Sequence, residues 1–149
     1  MTQLSGKVAL VTGASSGLGA AGAQVFAERG TSVFGIARDG ERMAAVFEAV
    51  PNGVYSSVDI TSAAACRDAV ADCVRQFGRL DVLVNAAGYH QMRHTTSVAD
   101  EDWAYDLAVN LNGPFYLCRA ALPHLLAAAG NIVNVSSIYG QLSPDQRIY

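Results

Sequence analysis

Apolar positions along this chain fall into short unbroken runs that alternate with longer periodic ones. Lys7 to Thr12 (KVALVT) is a bare apolar run, the pattern of a strand covered on both faces. Leu18, Gly22, Val25 and Phe26 then recur at helical spacing, and Gly30 suits a helix stop. Ser32 to Ala37 predicts a second strand. Met43, Val46, Phe47 and Val50 mark a second helix, closed by Pro51. Val54 to Val58 predicts a third, weaker strand. Cys66, Val70, Cys73, Val74 and Phe77 share one face of a third helix, which Gly78 ends. Asp81 to Asn85 reads as a fourth strand and Asn131 to Val135 as a fifth. Between them a long helix is expected from about Asp100 to Ala128, with a kink near Gly113 and Pro114. Proline inside a helix costs about 3 kcal/mol, because it lacks an N–H and clashes with the preceding turn. Strands alternating with helices imply an α/β architecture built on a doubly wound parallel sheet. No linker or repeat divides residues 1–149, so a single domain is expected.

Composition narrows the function classes. Apolar residues make up 51% of the chain and charged residues 15%, against a usual charged share of roughly 25%. A sizeable core is therefore expected, and disorder is not. The net charge of −3 and the lack of a basic run give no electrostatic footprint for nucleic acid. No stretch reaches the length of a membrane span, and the first residues lack the pattern of a secretory leader. A cytoplasmic protein with no membrane partner is expected. Cys66, Cys73 and Cys118 have no metal-ligand spacing and read as small buried hydrophobes. His90, His94 and His124 form no ligand pattern either, so no metal is expected.

The most informative stretch is Thr12 to Gly19, TGASSGLG, which leaves the first strand and enters the first helix. Its glycines are Gly13, Gly17 and Gly19, a spacing of G-x-x-x-G-x-G and not the common G-x-G-x-x-G. The physical logic is shared. Gly13 permits a tight turn, Gly17 lets the backbone approach a pyrophosphate, and Gly19 lets the helix pack close to the sheet. The helix start offers unpaired N–H groups and the positive end of a dipole. Ser15 and Ser16 add hydroxyl donors, with Leu18 between the last two glycines. Taken alone, such a triplet can equally be a turn that needs positive φ.

This turn resembles the TGxxxGxG turn of the short-chain dehydrogenases/reductases, and further motifs in order strengthen the likeness. Asn85-Ala86-Ala87-Gly88 resembles the family's NNAG motif, departing from it at Ala86. Val58-Asp59-Ile60 resembles the acidic position that contacts adenine. Val109-Asn110-Leu111-Asn112-Gly113 resembles the helix segment carrying a catalytic asparagine. Asn134-Val135-Ser136-Ser137 resembles the strand that ends in a catalytic serine. The likeness spans nearly the whole chain. It implies a Rossmann-like fold with five of the family's usual seven strands. It also implies an NAD(P)-dependent oxidoreductase that moves hydride between nicotinamide and an alcohol or carbonyl substrate. A homo-oligomer is expected for the full-length form.

Each position also has a plainer reading. Asp59 can simply cap the next helix, and Asn85 can satisfy backbone groups at a strand end. Trp103, Leu107, Asn110, Pro114 and Cys118 fall on one stripe of a continuous helix, which would place Asn110 on an apolar face. A buried amide must be hydrogen-bonded or it costs about 1–3 kcal/mol. A structural asparagine at a helix distortion is therefore the alternative to a catalytic one.

The second strand ends in Ala37-Arg38. An acid there would bind the ribose 2′-hydroxyl and repel a 2′-phosphate. A guanidinium instead suits phosphate through paired N–H bonds. NADP is expected over NAD, although Asp39 stands close and Arg38 can also be read as a solvated surface charge.

By the same resemblance, the family's tyrosine acts as general acid/base, assisted by a lysine four residues later, while Ser137 holds the substrate oxygen and Asn110 completes a proton relay. Tyr149 stands near the position of that tyrosine; it is either the catalytic one or a loop tyrosine. The lysine is not in the sequence. A free tyrosine has a pKa of about 10, and lowering it to about 7 is worth roughly 4 kcal/mol. The sequence is therefore expected to be an amino-terminal portion with little turnover alone. A non-catalytic dinucleotide-binding module that regulates a full-length partner is the alternative. Tyr89, His90, Gln91, Met92 and Arg93 follow the NAAG turn and can line a substrate cleft or form surface loop.

Overall fold

The computed structural model describes residues 4–91 and 94–141. Five strands, β1 (Val8–Thr12), β2 (Ser32–Ala37), β3 (Val54–Ser57), β4 (Val82–Asn85) and β5 (Asn131–Asn134), form one sheet in the order β3-β2-β1-β4-β5. Every pairing is parallel. Helices α1 (Gly17–Glu28), α2 (Gly40–Phe47), α3 (Ala63–Phe77), α4 (Asp100–Leu107) and α5 (Gly113–Ala128) connect the strands. The expected strands are all present, each within a residue or so of its expected bounds.

The bare apolar run of β1 has a direct cause. Its five residues are all buried, and alternate side chains enter opposite layers. Val8 and Leu10 pack into a core with Phe34, Ile36, Val70, Leu83 and Leu117, beneath α3 and α5. Ala9 and Val11 pack into a second core with Ala23, Val33, Met43 and Phe47, beneath α1 and α2. At the edge, β5 is exposed along its whole length. Ile132 is 37% and Val133 47% exposed.

The helix expected over 100–128 is interrupted. Residues Ala108–Asn112 form a π-helical turn between α4 and α5, and Pro114 falls at the start of α5. Because proline brings no N–H, the preceding turn loses an α-helical bond, and the wider turn absorbs that defect. The extra residue rotates the faces of the two helices relative to each other. The buried line runs through Val109, Gly113, Leu117, Ala121 and Leu125, whereas Trp103 is 59% exposed. The single stripe expected from Trp103 to Cys118 is thus not the buried one, and Asn110 is exposed.

At the opposite end of the sheet from the glycine turn, Asp81 enters β4 nearly fully buried. Its carboxylate accepts bonds from Lys7 Nζ (3.0 Å), from the Val8 N–H (3.0 Å) and from Arg79 Nε (2.7 Å) and Nη2 (2.6 Å). Burial alone would raise its pKa; the bonds from Arg79, Lys7 and Val8 outweigh this and hold it below the ordinary value. Cys66 and Cys73 are buried on α3, as small hydrophobes should be, and Cys118 is half-buried. Burial, with the charge of Asp59 adding to it, pushes the Cys66 thiol up to about 11, and burial pushes Cys73 to about 12. Both stay protonated near neutral pH.

Candidate dinucleotide site

A parallel sheet whose strand order reverses leaves a crevice at the carboxyl ends of its strands. Here the reversal lies between β1 and β4. A cleft of about 550 Å³ opens at that point. Gly13, Ser15, Ser16, Gly17 and Leu18 line it from the turn after β1. Arg38 and Asp59 line it from beyond β2 and β3, beside Ile60, and Ala86, Ala87 and Gly88 from beyond β4.

The glycines have separable physical reasons. Gly13 has φ +66, and a Cβ there would stand 2.9 Å from the Ala87 Cα and backbone nitrogen. The turn is thus pressed against the loop after β4. Gly17 has φ +52 and open space where a side chain would be, so the backbone at the start of α1 faces the cleft bare. Gly19 does not line the cleft. A Cβ on it would meet the Gly13 carbonyl oxygen at 2.3 Å, so its smallness seats α1 against the end of β1. Thr12, nearly fully buried, completes the frame. Its hydroxyl oxygen accepts from the Ala86 N–H (3.0 Å) and the Ala87 N–H (2.8 Å). The sequence reading passed over this threonine, because only the tertiary fold brings residues 86 and 87 beside it.

The remaining expected residues divide between the cleft and its supports. Asp59 accepts from the Thr61 N–H (3.0 Å) and hydroxyl (2.9 Å), while the cap of α3 is Ser62. The helix-cap alternative for Asp59 is therefore not realised. Asn85 is not among the residues that line the cleft. Its Nδ2 donates to Asn134 Oδ1 at 2.8 Å and to Cys118 Sγ at 3.4 Å, tying β4 to β5 and α5. Asn110 faces the loop after Gly88. Its Oδ1 accepts from the Tyr89 N–H (2.9 Å) and its Nδ2 donates to the Tyr89 carbonyl (2.6 Å). Ser137 lies beyond β5, where its hydroxyl accepts from the Tyr139 N–H at 3.2 Å and caps a short turn, Ile138–Gly140. Ser137 is exposed and not part of the cleft lining. Tyr149, Met92 and Arg93 lie outside the described residues.

Two further residues form the lip, of which Arg42 has no signal in the sequence, while Tyr89 was among those expected either to line a cleft or to form surface loop. Arg42 lines the cleft from the first turn of α2, and Tyr89 from the loop after β4. The carboxylate of Asp39 accepts from the Arg42 backbone N–H (3.0 Å) and pairs with Arg42 Nε (3.2 Å). The negative charge beside Arg38 is therefore already partnered. Among the described residues, no group of three acidic, histidine or cysteine side chains is placed to hold a metal ion. No helix among them is long and apolar enough to cross a membrane.

The frame so described is that of a recognised class. Residues 7–149 match the family model for short chain dehydrogenase, and the chain belongs to that family. It is 37% identical over 150 residues to an L-fucose dehydrogenase of Bos taurus, covering 99% of this chain and 55% of that protein. The chain thus spans about half the length of the curated relatives it matches. Among solved structures, a metagenomic short-chain oxidoreductase in complex with NADP superposes with a TM-score of 0.88 at 36% identity, over 93% of this chain and 66% of that one. Carveol dehydrogenase from Mycobacterium avium in complex with NAD gives 0.90 at 28% identity, over 97% and 59%.

Proposed function

We propose that this chain binds NADP in the cleft at the ends of β1 and β4 and serves an oxidoreductase acting on a small alcohol or carbonyl substrate. The observation that carries the reading is the bare, positive-φ backbone of Gly17 at the start of α1, open to the cleft. A diphosphate meets N–H groups and a helix dipole there without steric obstruction. Ser15 and Ser16 flank the same place. Ala86 to Gly88 form the opposite wall, and Asp59 and Ile60 the far pocket where an adenine would lie. Gly19 and Asn85 act from behind the lining, by fixing α1 and β4.

The preference for NADP over NAD rests on the end of β2. Ala37 offers no carboxylate to a ribose, Arg38 offers a guanidinium, and Asp39 is engaged by Arg42. When bound, the nicotinamide supplies the hydride-exchanging carbon. In this reading Asn110 fixes the loop at Tyr89 and belongs to the proton relay. Ser137 holds the substrate oxygen and Tyr149 exchanges its proton. The exposed apolar side chains of α5, among them Phe115 and Leu126, are the surface that a homo-oligomer would cover.

The test is a comparison of dissociation constants for NADP⁺ and NAD⁺. Tighter NADP⁺ binding that is lost in Arg38→Ala supports the reading. Equal or tighter NAD⁺ binding, unchanged by that substitution, contradicts it.

A further inference from the structure

Arg38 is exposed, and a long exposed side chain ordinarily samples many rotamers. Here it is held at both ends. Its backbone carbonyl accepts from the Ser57 hydroxyl at 2.8 Å. Its Nη1 donates to the hydroxyl oxygen of Tyr105 on α4, and its guanidinium carbon lies 5.9 Å from the centre of that ring. Tyr105 is itself fixed. Its ring meets the Tyr89 ring edge-on, at 4.9 Å and 83°. The Tyr89 backbone is held in turn by both bonds from Asn110.

Resting on the NADP reading above, we propose that Tyr105 is a positioning residue for cofactor selection, holding the Arg38 guanidinium at the lip of the cleft. A guanidinium carries five donors in a rigid fork. The bond to Tyr105 occupies Nη1 and leaves the Nε and Nη2 edge to meet a 2′-phosphate with paired bonds. A side chain already ordered loses less freedom when it binds. A ribose that lacks the phosphate presents no anion for that edge to pair with, so the effect is expected to fall on NADP. The sequence hides the relation, because Tyr105 and Arg38 lie on different elements far apart in the chain.

The experiment is a double-mutant cycle with Arg38→Ala and Tyr105→Phe, reading the dissociation constants of NADP⁺ and NAD⁺. Phenylalanine keeps the ring contact with Tyr89 and removes only the accepting oxygen. Tyr105→Phe is expected to weaken NADP⁺ about three- to tenfold, the range for one lost hydrogen bond, and to leave NAD⁺ and the melting temperature unchanged. In the Arg38→Ala background the same substitution should have no effect. An unchanged NADP⁺/NAD⁺ ratio in Tyr105→Phe overturns the proposal, as does an effect that persists without Arg38. If the unsubstituted chain prefers NADP⁺ through Arg38 but ignores Tyr105, this inference alone falls. If it shows no preference for NADP⁺, the cofactor reading falls with it.

Discussion

Asn110 holds Tyr89 by both of its backbone polar groups, accepting from the N–H at 2.9 Å and donating to the carbonyl at 2.6 Å. One amide side chain thus copies a strand-like pair of bonds and joins the π-helical turn to the loop after β4. Only an amide can donate and accept in this way; a carboxylate cannot donate, and an aliphatic side chain can do neither. Asn110→Asp should keep the bond from the Tyr89 N–H and lose the other. Asn110→Leu should lose both. The site is exposed, so water replaces part of what is lost, and about 1 kcal/mol per bond is the expected scale. Thermal melts should rank wild type above Asp and Asp above Leu, with steps of about 2–4 °C. Equal melting temperatures for the three would show that the clamp contributes nothing.

Two glycines in one helix should respond in opposite directions to the same substitution. Gly19→Ala drives a Cβ to 2.3 Å from the Gly13 carbonyl oxygen, whereas Gly22→Ala meets nothing within 4 Å. The first must displace α1 from the glycine turn, at a cost of about 1–3 kcal/mol or more, and weaken dinucleotide binding. The second exchanges a poor helix former for the best one and should stabilise by up to about 1 kcal/mol. Urea denaturation of the two variants checks this. A Gly19→Ala chain as stable as wild type would show that α1 is not seated as described.

The division between legible and illegible features follows from what a local pattern can encode. The buried strands showed as bare apolar runs because both faces of β1 are covered, and the glycine turn showed because its backbone demands are local. Gly113 and Pro114 marked a distortion of the helix, but not its form as a π-helical turn at Ala108–Asn112, because one extra residue in a helical ladder has no periodic signal of its own. Its consequence was a misplaced stripe, in which Trp103 was grouped with Cys118 although the turn rotates α4 away from the face α5 buries. Thr12, Arg42 and Tyr105 were missed for another reason. Each works through a partner that only the assembled fold, or the first turn of a helix, brings near. The packing role of Gly19 was legible in the turn, whereas for Asn85 the sequence left cleft and support both open, and only the assembled fold shows its bonds to Asn134 and Cys118.

Acid should unfold the chain partly through Asp81. Its bonds to Arg79, Lys7 and Val8 hold its folded pKa below the unfolded value of about 3.9. A carboxyl with a lowered folded pKa stabilises fully above the unfolded value, and that contribution is lost as pH falls through the folded one. Stability should therefore decline below about pH 4 with a slope that Asp81→Asn reduces. At neutral pH the same substitution should cost about 2 kcal/mol, less than for a fully buried pair because Lys7 and Arg79 remain partly solvated. Urea midpoints between pH 3 and pH 7 measure both effects. Parallel curves for the two proteins would remove Asp81 from the acid response.

The central claim, that the turn after β1 cradles a diphosphate, is tested most directly by following backbone amide resonances during an NADP⁺ titration. The largest saturable shifts should fall on residues 13–19, on residues 86–88 and on Arg38, with β5 and the outer face of α5 undisturbed. Amides of the glycine turn that stay unmoved at millimolar NADP⁺, in a sample whose spectrum shows it folded, would contradict the account.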